Sequence, residues 1–255
     1  MKLGGKENEM TKPSKVAIII PCHNEQDSII QLLEEINNTK FSEHFIIKPI
    51  VVNDCSTDNT KALLVSNNIS FLDLSVNLGI GGAMQAGFKY AYQNGFDIAV
   101  QMDGDGQHPP KELEKIIEPI YTNEADVAIG SRYIDRQGFQ SSFLRRLGIS
   151  YFKWLNKWLV GAIVHDSTSG YRAFNRKALE VVATYYPDEY PEPESIVLFS
   201  LTNIRIKEIS VIMRERQGGM SSIRTYKTIY YMFKVTLGTI FLYIRLKFNG
   251  KRYII

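Results

Sequence analysis

The first 131 residues alternate short β-branched runs with amphipathic stretches, and nothing else in the sequence limits the fold as tightly. Residues 16–20 (VAIII) form an apolar run of strand type, and the stretch from Asp27 to Asn38 then sets Ile29, Ile30, Leu32, Leu33 and Ile36 on helical spacing. The pattern continues with strand 45–53, helix 58–66, strand 69–74, helix 80–93, strand 97–102, helix 110–121 and strand 126–130. Parallel strands need a long crossover, usually a helix, so β-α-β-α order predicts a doubly wound, mostly parallel α/β sheet with helices on both faces. With 255 residues, 44% of them hydrophobic and 22% charged, one large core can form. That composition excludes a disordered, collagen-like or coiled-coil chain.

In such sheets ligands bind beyond the carboxyl ends of the strands. The segments there are PCHNE (21–25), NDCSTDNT (53–60), NLGIGGAMQAG (77–87), DGDGQHPP (103–110) and GSRY (130–133). After residue 131 the alternation stops. A basic, aromatic, helix-like stretch over 142–160 is followed by HDSTSGYRAFNRKAL and the Pro/acid-rich YPDEYPEPE, a half expected to shape the acceptor side.

Asp103 and Asp105 stand two residues apart just past a strand, with Gly104 and Gly106 allowing a tight turn and Gln107 adding an oxygen. Hard oxygen ligands at this spacing suit Mg²⁺ or Mn²⁺ bound together with substrate phosphates. A solvated acidic turn would carry the same residues, but its place at a strand end favours the metal. Asp54 ends the second strand, where a carboxylate can bind a base or ribose hydroxyl, whereas Ser56 and Asp58 suit capping of the next helix. Met84 breaks the G-x-G-x-x-G spacing and the glycines follow the third strand rather than the first, which argues against a hydride-transfer enzyme. The glycines then serve either close approach to a ligand or close helix packing.

Arg132 follows the fifth strand, and Arg146 and Ser150, four apart, share a helix face. Arginine forks hold phosphate bidentately, although a solvated basic face would look the same. The four histidines show no i, i+4 pairing and no serine sits in a G-x-S-x-G elbow; His108 is read as a satisfied structural histidine first, with ordering of the DGDGQ loop as its other role. Cys22 and Cys55 are the only cysteines, too few for a disulfide scaffold or zinc domain.

The charge is uneven. Residues 202–255 hold eleven Lys/Arg against two Asp/Glu in a chain of net +3, so this quarter suits nucleic acid, an anionic membrane or phosphate groups. The N-terminal MKLGGKENEMTKPSK has no apolar core and reads as a solvated tail. The longest uncharged run near the C-terminus, 235–244, is too short to span a bilayer. On a helical wheel Lys227, Lys234, Arg245 and Arg252 form a narrow stripe, away from a broad arc of Ile229, Phe233, Leu237, Ile240 and Ile244. That pattern suits a helix in the membrane interface, or one packed on the domain or on a small membrane protein.

IIPCHNE, VVNDCSTDNT, NLGIGGAMQAG, QMDGDGQHPP, GSRY and DSTSGYRAF, in this order, resemble a family 2 glycosyltransferase of GT-A fold, in its polyprenyl-phosphate (dolichyl-phosphate mannose synthase-like) branch. The resemblance implies inverting transfer from a nucleotide-diphosphate sugar, a UDP-sugar ahead of a GDP-sugar. Pro21, Asn24, Glu25, Asp54, Gly79 and Asp103 then fall in the donor site, and Asp103, Asp105 and Gln107 bind Mn²⁺ or Mg²⁺. Arg216, Gln217 and Ser221 match a late loop that closes over the diphosphate. Arg132, Arg146 and Ser150 match positions facing an acceptor phosphate, and Asp105, Arg132, Arg146 and Glu194 are the candidate catalytic residues. The expected organisation is a tail (1–15), a catalytic domain (16–224) and a basic amphipathic segment (225–255) on the cytoplasmic face of a membrane, with no nucleic acid as partner.

Extension of a cell-surface glycan at a sugar hydroxyl is the competing reading. A hydroxyl needs a general base where an ionised phosphate does not, and Asp166, Glu192 and Glu194 are the candidates. A silent sugar-nucleotide-binding protein would not need intact Asp103, Asp105 and Gln107. A nucleotidyltransferase would want its glycine-rich loop where PCHNE stands.

Overall fold

The computed structural model describes residues 12–135, 138, 143–188, 190–215 and 225–249. Its centre is a seven-stranded sheet of β1 (Ser14–Cys22), β2 (Phe45–Asn53), β3 (Phe71–Asp73), β4 (Ile98–Gln101), β5 (Val127–Ser131), β6 (Arg172–Asn175) and β7 (Ile206–Ser210). The spatial order is β3-β2-β1-β4-β6-β5-β7. Only β6 runs antiparallel to its neighbours, pairing with β4 and β5. The mostly parallel sheet follows from the alternation of the first half. Strand β2 has the bounds read from sequence, and β1 begins two residues earlier, at Ser14.

The two later strands are not visible in the sequence pattern. β6 (RAFN) is short and carries an arginine, and β7 (IKEIS) is a half-exposed outer strand. Both pair with β5, so the sheet continues where the β-α rhythm stops.

Among the described residues eight α-helices surround the sheet: α1 (Ile29–Asn38), α2 (Thr60–Ser66), α3 (Gly79–Gln93), α4 (Leu113–Tyr121), α5 (Phe143–Val160), α6 (Arg176–Thr184), α7 (Pro191–Leu201) and α8 (Thr225–Asn249). Successive strand residues point to opposite faces. Ala17 and Ile19 of β1 therefore join one core with Phe88, Phe174 and Ile196, while Val16, Ile18 and Ile20 join the other with Leu32, Ile116 and Ile117. Each fully buried isoleucine contributes about 1.5–3 kcal/mol.

The glycines that open α3 serve packing first. A Cβ on Gly81 would lie 2.1 Å from the carbonyl oxygens of Pro187 and Asp188, and its N–H donates to Asp188 O at 2.8 Å. Helix α8 packs against α7 and α5 through Val235, Thr239, Leu242 and Leu246, four buried residues on one face. Of the apolar arc expected for this segment, Phe233, Leu237 and Ile244 are exposed, so that arc faces outward, and the face turned to the core is a different one. Among the described residues no helix is long and apolar enough to cross a membrane.

Candidate active site

The loops after β1, β2 and β4 meet at one rim of the sheet. Asn24, in the left-handed region at φ 61°, accepts at Oδ1 from the Thr57 N–H (2.8 Å), while the Glu25 N–H donates to Thr60 Oγ1 (2.9 Å). This lock spends the Asn24 carbonyl between two loops. Pro21 and Cys22 end β1 beneath the acidic loop, where a Cβ on Gly104 would meet Cys22 Sγ and Pro21 O, both at 3.1 Å. Burial pushes the Cys22 thiol up, so it stays protonated and un-nucleophilic. Asp54 is buried and its Oδ1 accepts from the Leu78 N–H at 2.7 Å, fixing the start of α3. Gly79 follows at φ 72°, its N–H on Asn77 Oδ1. Asp58, one residue before the N-cap Asn59, accepts at Oδ1 from the Thr60 N–H that opens α2, whereas Ser56 Oγ accepts from the Asn24 N–H and caps no helix.

Asp103 and Asp105 lie just beyond β4. Buried Asp105 accepts at Oδ1 from the Gln107 N–H (3.0 Å), closing the turn on itself. His108 is buried flat against Tyr171, and its Nδ1 accepts from the Asp103 N–H at 3.0 Å. Burial lowers its pKa to about 4, so the ring is neutral at pH 7 and its acceptor nitrogen holds this loop. Gly170 presses on Asp103 from the opposite side: a Cβ there would lie 3.1 Å from Oδ1 and 3.3 Å from Oδ2. The Asp103 carboxylate is about one-third exposed at the rim.

The residues here that could hold a cation are Asp103, Asp105 and Gln107, which offer hard oxygens. Among the described residues no three His, Cys, Asp or Glu side chains group to hold a metal unaided. The set suits Mg²⁺ or Mn²⁺ whose remaining positions are taken by water and a substrate's phosphates.

Two residues on the acceptor half have partners of their own. Arg132 is buried and grips Asp166 through Nε to Oδ2 (2.7 Å) and Nη2 to Oδ1 (2.8 Å), with its N–H also on Oδ2 (3.2 Å). Asp166, one of the three candidate bases, is fully buried with both oxygens engaged, which removes it from that role. Arg146 and Ser150 do share the exposed face of α5.

Glu192 and Glu194 open α7, and residues two apart on a helix point in different directions. Glu192 Oε1 accepts from Gln101 Nε2 (3.1 Å), and Gln101 Oε1 accepts from the Tyr186 hydroxyl (3.1 Å). Burial raises the pKa of Glu192 and the nearby Asp103 charge raises it further, against the pull of Arg172. Glu194 instead lies over Gly238 of α8, where a Cβ would come within 2.7 Å of its Oε1. Of the two candidate bases on α7, Glu192 is the one whose ionisation Asp103 influences, while Glu194 faces Gly238.

Sequence reasoning missed Arg172. At the start of β6, fully buried, it donates from Nε to Ser169 O (2.7 Å), from Nη1 to Ser195 Oγ (2.6 Å), and from Nη2 to Ser167 O and Glu192 O (both 2.9 Å). One guanidinium thus ties the DSTSG loop to the start of α7. The available signal was an arginine inside an apolar YRAF run. Arg214 is a second anchor, bidentate to Glu35 of α1 with its N–H on Gln107 O (3.0 Å). Arg216, Gln217 and Ser221 lie outside the described residues.

The family model for glycosyl transferase family 2 matches residues 17–182, which run from within β1 past β6 and hold the whole acidic loop. The chain belongs to glycosyltransferase family 2. Polyprenol monophosphomannose synthase from Mycolicibacterium smegmatis is 28% identical over 242 residues, 91% of this chain and 89% of the relative. A UDP-N-acetylglucosamine–dolichyl-phosphate N-acetylglucosaminyltransferase from Methanococcus voltae is 29% identical over 247 residues, 88% and 89% of the two chains. The fold of this family 2 enzyme is shared with mannosyl-3-phosphoglycerate synthase from Rubrobacter xylanophilus (TM-score 0.68, 17% identity, 93% of this chain and 75% of that one). It is shared too with glucosyl-3-phosphoglycerate synthase from Mycobacterium tuberculosis, solved with Mn²⁺ and UDP (TM-score 0.65, 16% identity, 90% and 80%). The chain is a glycosyltransferase of GT-A fold.

Proposed function

We propose that this glycosyltransferase moves a sugar, with inversion, from a nucleoside diphosphate to a polyprenyl phosphate at a membrane surface. The observation that carries the reading is the Asp103–Asp105 loop, held at the ligand rim by His108 and the Gln107 N–H and hemmed in by Gly170. Asp103, Asp105 and Gln107 would hold the divalent ion, which when bound supplies Lewis-acid stabilisation of the departing diphosphate. Pro21, Asn24, Glu25, Asp54 and Gly79 line the donor side as the loops that this lock holds together.

An acceptor phosphate oxygen attacks the anomeric carbon as the bond to the diphosphate breaks on the opposite face. No proton has to be taken from an acceptor that is already ionised. Arg146, exposed beside Ser150 on α5, supplies the fork for that phosphate, while Arg132 stiffens the rim through Asp166. The relatives named for polyprenol and dolichyl phosphate support this acceptor class, and the neighbour solved with Mn²⁺ and UDP supports the cation and a UDP-sugar. Glu192, beside Asp103, is the one carboxylate that favours a hydroxyl acceptor instead.

The test is transfer from a panel of UDP- and GDP-sugars to polyprenyl phosphate or to a soluble glycan, with and without Mn²⁺. Metal-dependent transfer to the lipid is expected, with Arg146→Ala at least tenfold slower and Glu192→Gln slowed far less. Transfer to the glycan alone, with strict dependence on Glu192, overturns the reading.

A further inference from the structure

Two exposed aromatic stripes lie on neighbouring helices. On α5, Leu147, Trp154 and Trp158 share the outward face; the indoles are 60% and 69% exposed and stack at 6.3 Å with 3° between their planes. On α8, Tyr230, Phe233, Leu237, Phe241, Ile244 and Phe248 recur at three- and four-residue intervals, all exposed, opposite the face that packs on the domain. Tyr151 joins the two stripes, since its hydroxyl lies 3.0 Å from Thr236 Oγ1 and its ring 6.3 Å from Trp154. A soluble monomer rarely leaves so many large apolar side chains together in water.

The charge on these helices says what covers them. Each carries four Lys/Arg, and neither carries a single Asp or Glu. On the α8 wheel Lys234 and Arg245 lie on one shoulder of the aromatic stripe and Lys247 on the other, while Lys153 and Lys157 stand beside the α5 tryptophans. Two copies paired through this face would set like charges against one another. Aromatic rings in the middle with cationic stems at the edges fit the boundary between headgroups and acyl chains.

We infer that α5 and α8 form a single footprint that seats the enzyme on an anionic lipid bilayer, with Trp154 and Trp158 as its aromatic anchor and the α8 phenylalanines as its apolar keel. It rests on the lipid-acceptor reading for its purpose and adds a surface and a lipid charge. Arg146 is eight residues before Trp154 on the same helix, about 12 Å along its axis. Indoles at headgroup depth therefore keep the proposed phosphate fork near lipid phosphates.

Trp154 and Trp158 are the only tryptophans in the chain, so intrinsic fluorescence reports on the footprint directly. The full chain, with neither donor nor acceptor, is mixed with vesicles of phosphatidylcholine and phosphatidylglycerol in equal parts, or of phosphatidylcholine alone. A blue shift and quenching by brominated acyl chains are expected on the anionic vesicles, reversed by high salt. Phe233→Glu with Phe241→Glu, both at exposed sites, keeps the indoles and is expected to weaken vesicle binding at least tenfold while the circular dichroism spectrum is unchanged. Anionic vesicles that bind without altering the emission overturn the footprint, as does emission that shifts with protein concentration in the absence of lipid. UDP–Mn²⁺ binding, measured alongside, separates the two ideas: intact nucleotide binding without lipid quenching sinks the footprint alone, and quenching without nucleotide binding sinks the proposed donor site alone.

Discussion

Replacing Arg172 with methionine removes a buried cation of similar length and all four of its hydrogen bonds, those to Ser169 O, Ser195 Oγ, Ser167 O and Glu192 O. A hydrogen bond from a charged donor is worth about 1.5–3 kcal/mol, so a simple sum would exceed ~6 kcal/mol. The sum overshoots, because burying the guanidinium itself costs free energy that methionine does not incur. Breaking one side of a buried charged network typically costs about 3–5 kcal/mol, and we expect that loss here. For a chain of this size it lowers Tm by roughly 6–20 °C, read by thermal denaturation. Ser169 adjoins Gly170, which abuts Asp103, and Glu192 lies on the other side, so Mn²⁺-dependent UDP binding should weaken at least tenfold at temperatures where the variant is folded. Arg172→Lys keeps the charge but cannot reach four acceptors arranged for a planar fork, and should fall between the two in both measurements. An Arg172→Met protein that melts within about 2 °C of the wild type, with unchanged nucleotide affinity, would refute the account of this side chain.

Gly81→Ala forces a methyl into the Pro187 and Asp188 carbonyls and should cost at least ~2 kcal/mol, seen as a lowered denaturation midpoint. Asp105→Asn can still accept from the Gln107 N–H, so its melting temperature should hold while Mn²⁺-dependent nucleotide binding, followed by calorimetry, is lost. Burial works to raise the pKa of Asp126, but the Arg205 guanidinium and N–H, with Asn175 and Lys177, outweigh it and hold the carboxyl well below the usual range. Stability from a depressed carboxyl is present above its unfolded pKa and lost as pH falls through the folded one. Asp126→Asn should therefore cost about 1.5–3 kcal/mol near neutral pH, a gap that closes in acid titrations monitored by denaturant unfolding.

The sequence was most readable where one local rule governed. Strands β1, β4 and β5 and the last four residues of β2 are buried on both faces, and each is followed by polar residues at the rim. The acidic loop was therefore legible from the spacing of Asp103, Asp105 and Gln107 and their place past a strand end. β6 escaped because it runs antiparallel to its neighbours, so the residues it brings to the rim, Ser169, Gly170 and Arg172, lie before or at its start instead of after its end. Pairings across the fold were equally hidden. Arg132 is 34 residues from Asp166, and no spacing announces that one takes up the other. The choice between Glu192 and Glu194 likewise depended on α8, whose Gly238 comes close only in three dimensions.

Helix α8 is apolar on opposite faces, one closed onto α7 and the other open. A tether would let the catalytic cleft swing freely above whatever the helix rests on. Here Leu242 and Leu246 belong to the same core as Ile19 of the central strand, so the outward face and the cleft move as one rigid body. Its height and tilt over a surface are then fixed by folding, and a substrate held in that surface must present its reactive group at one set distance.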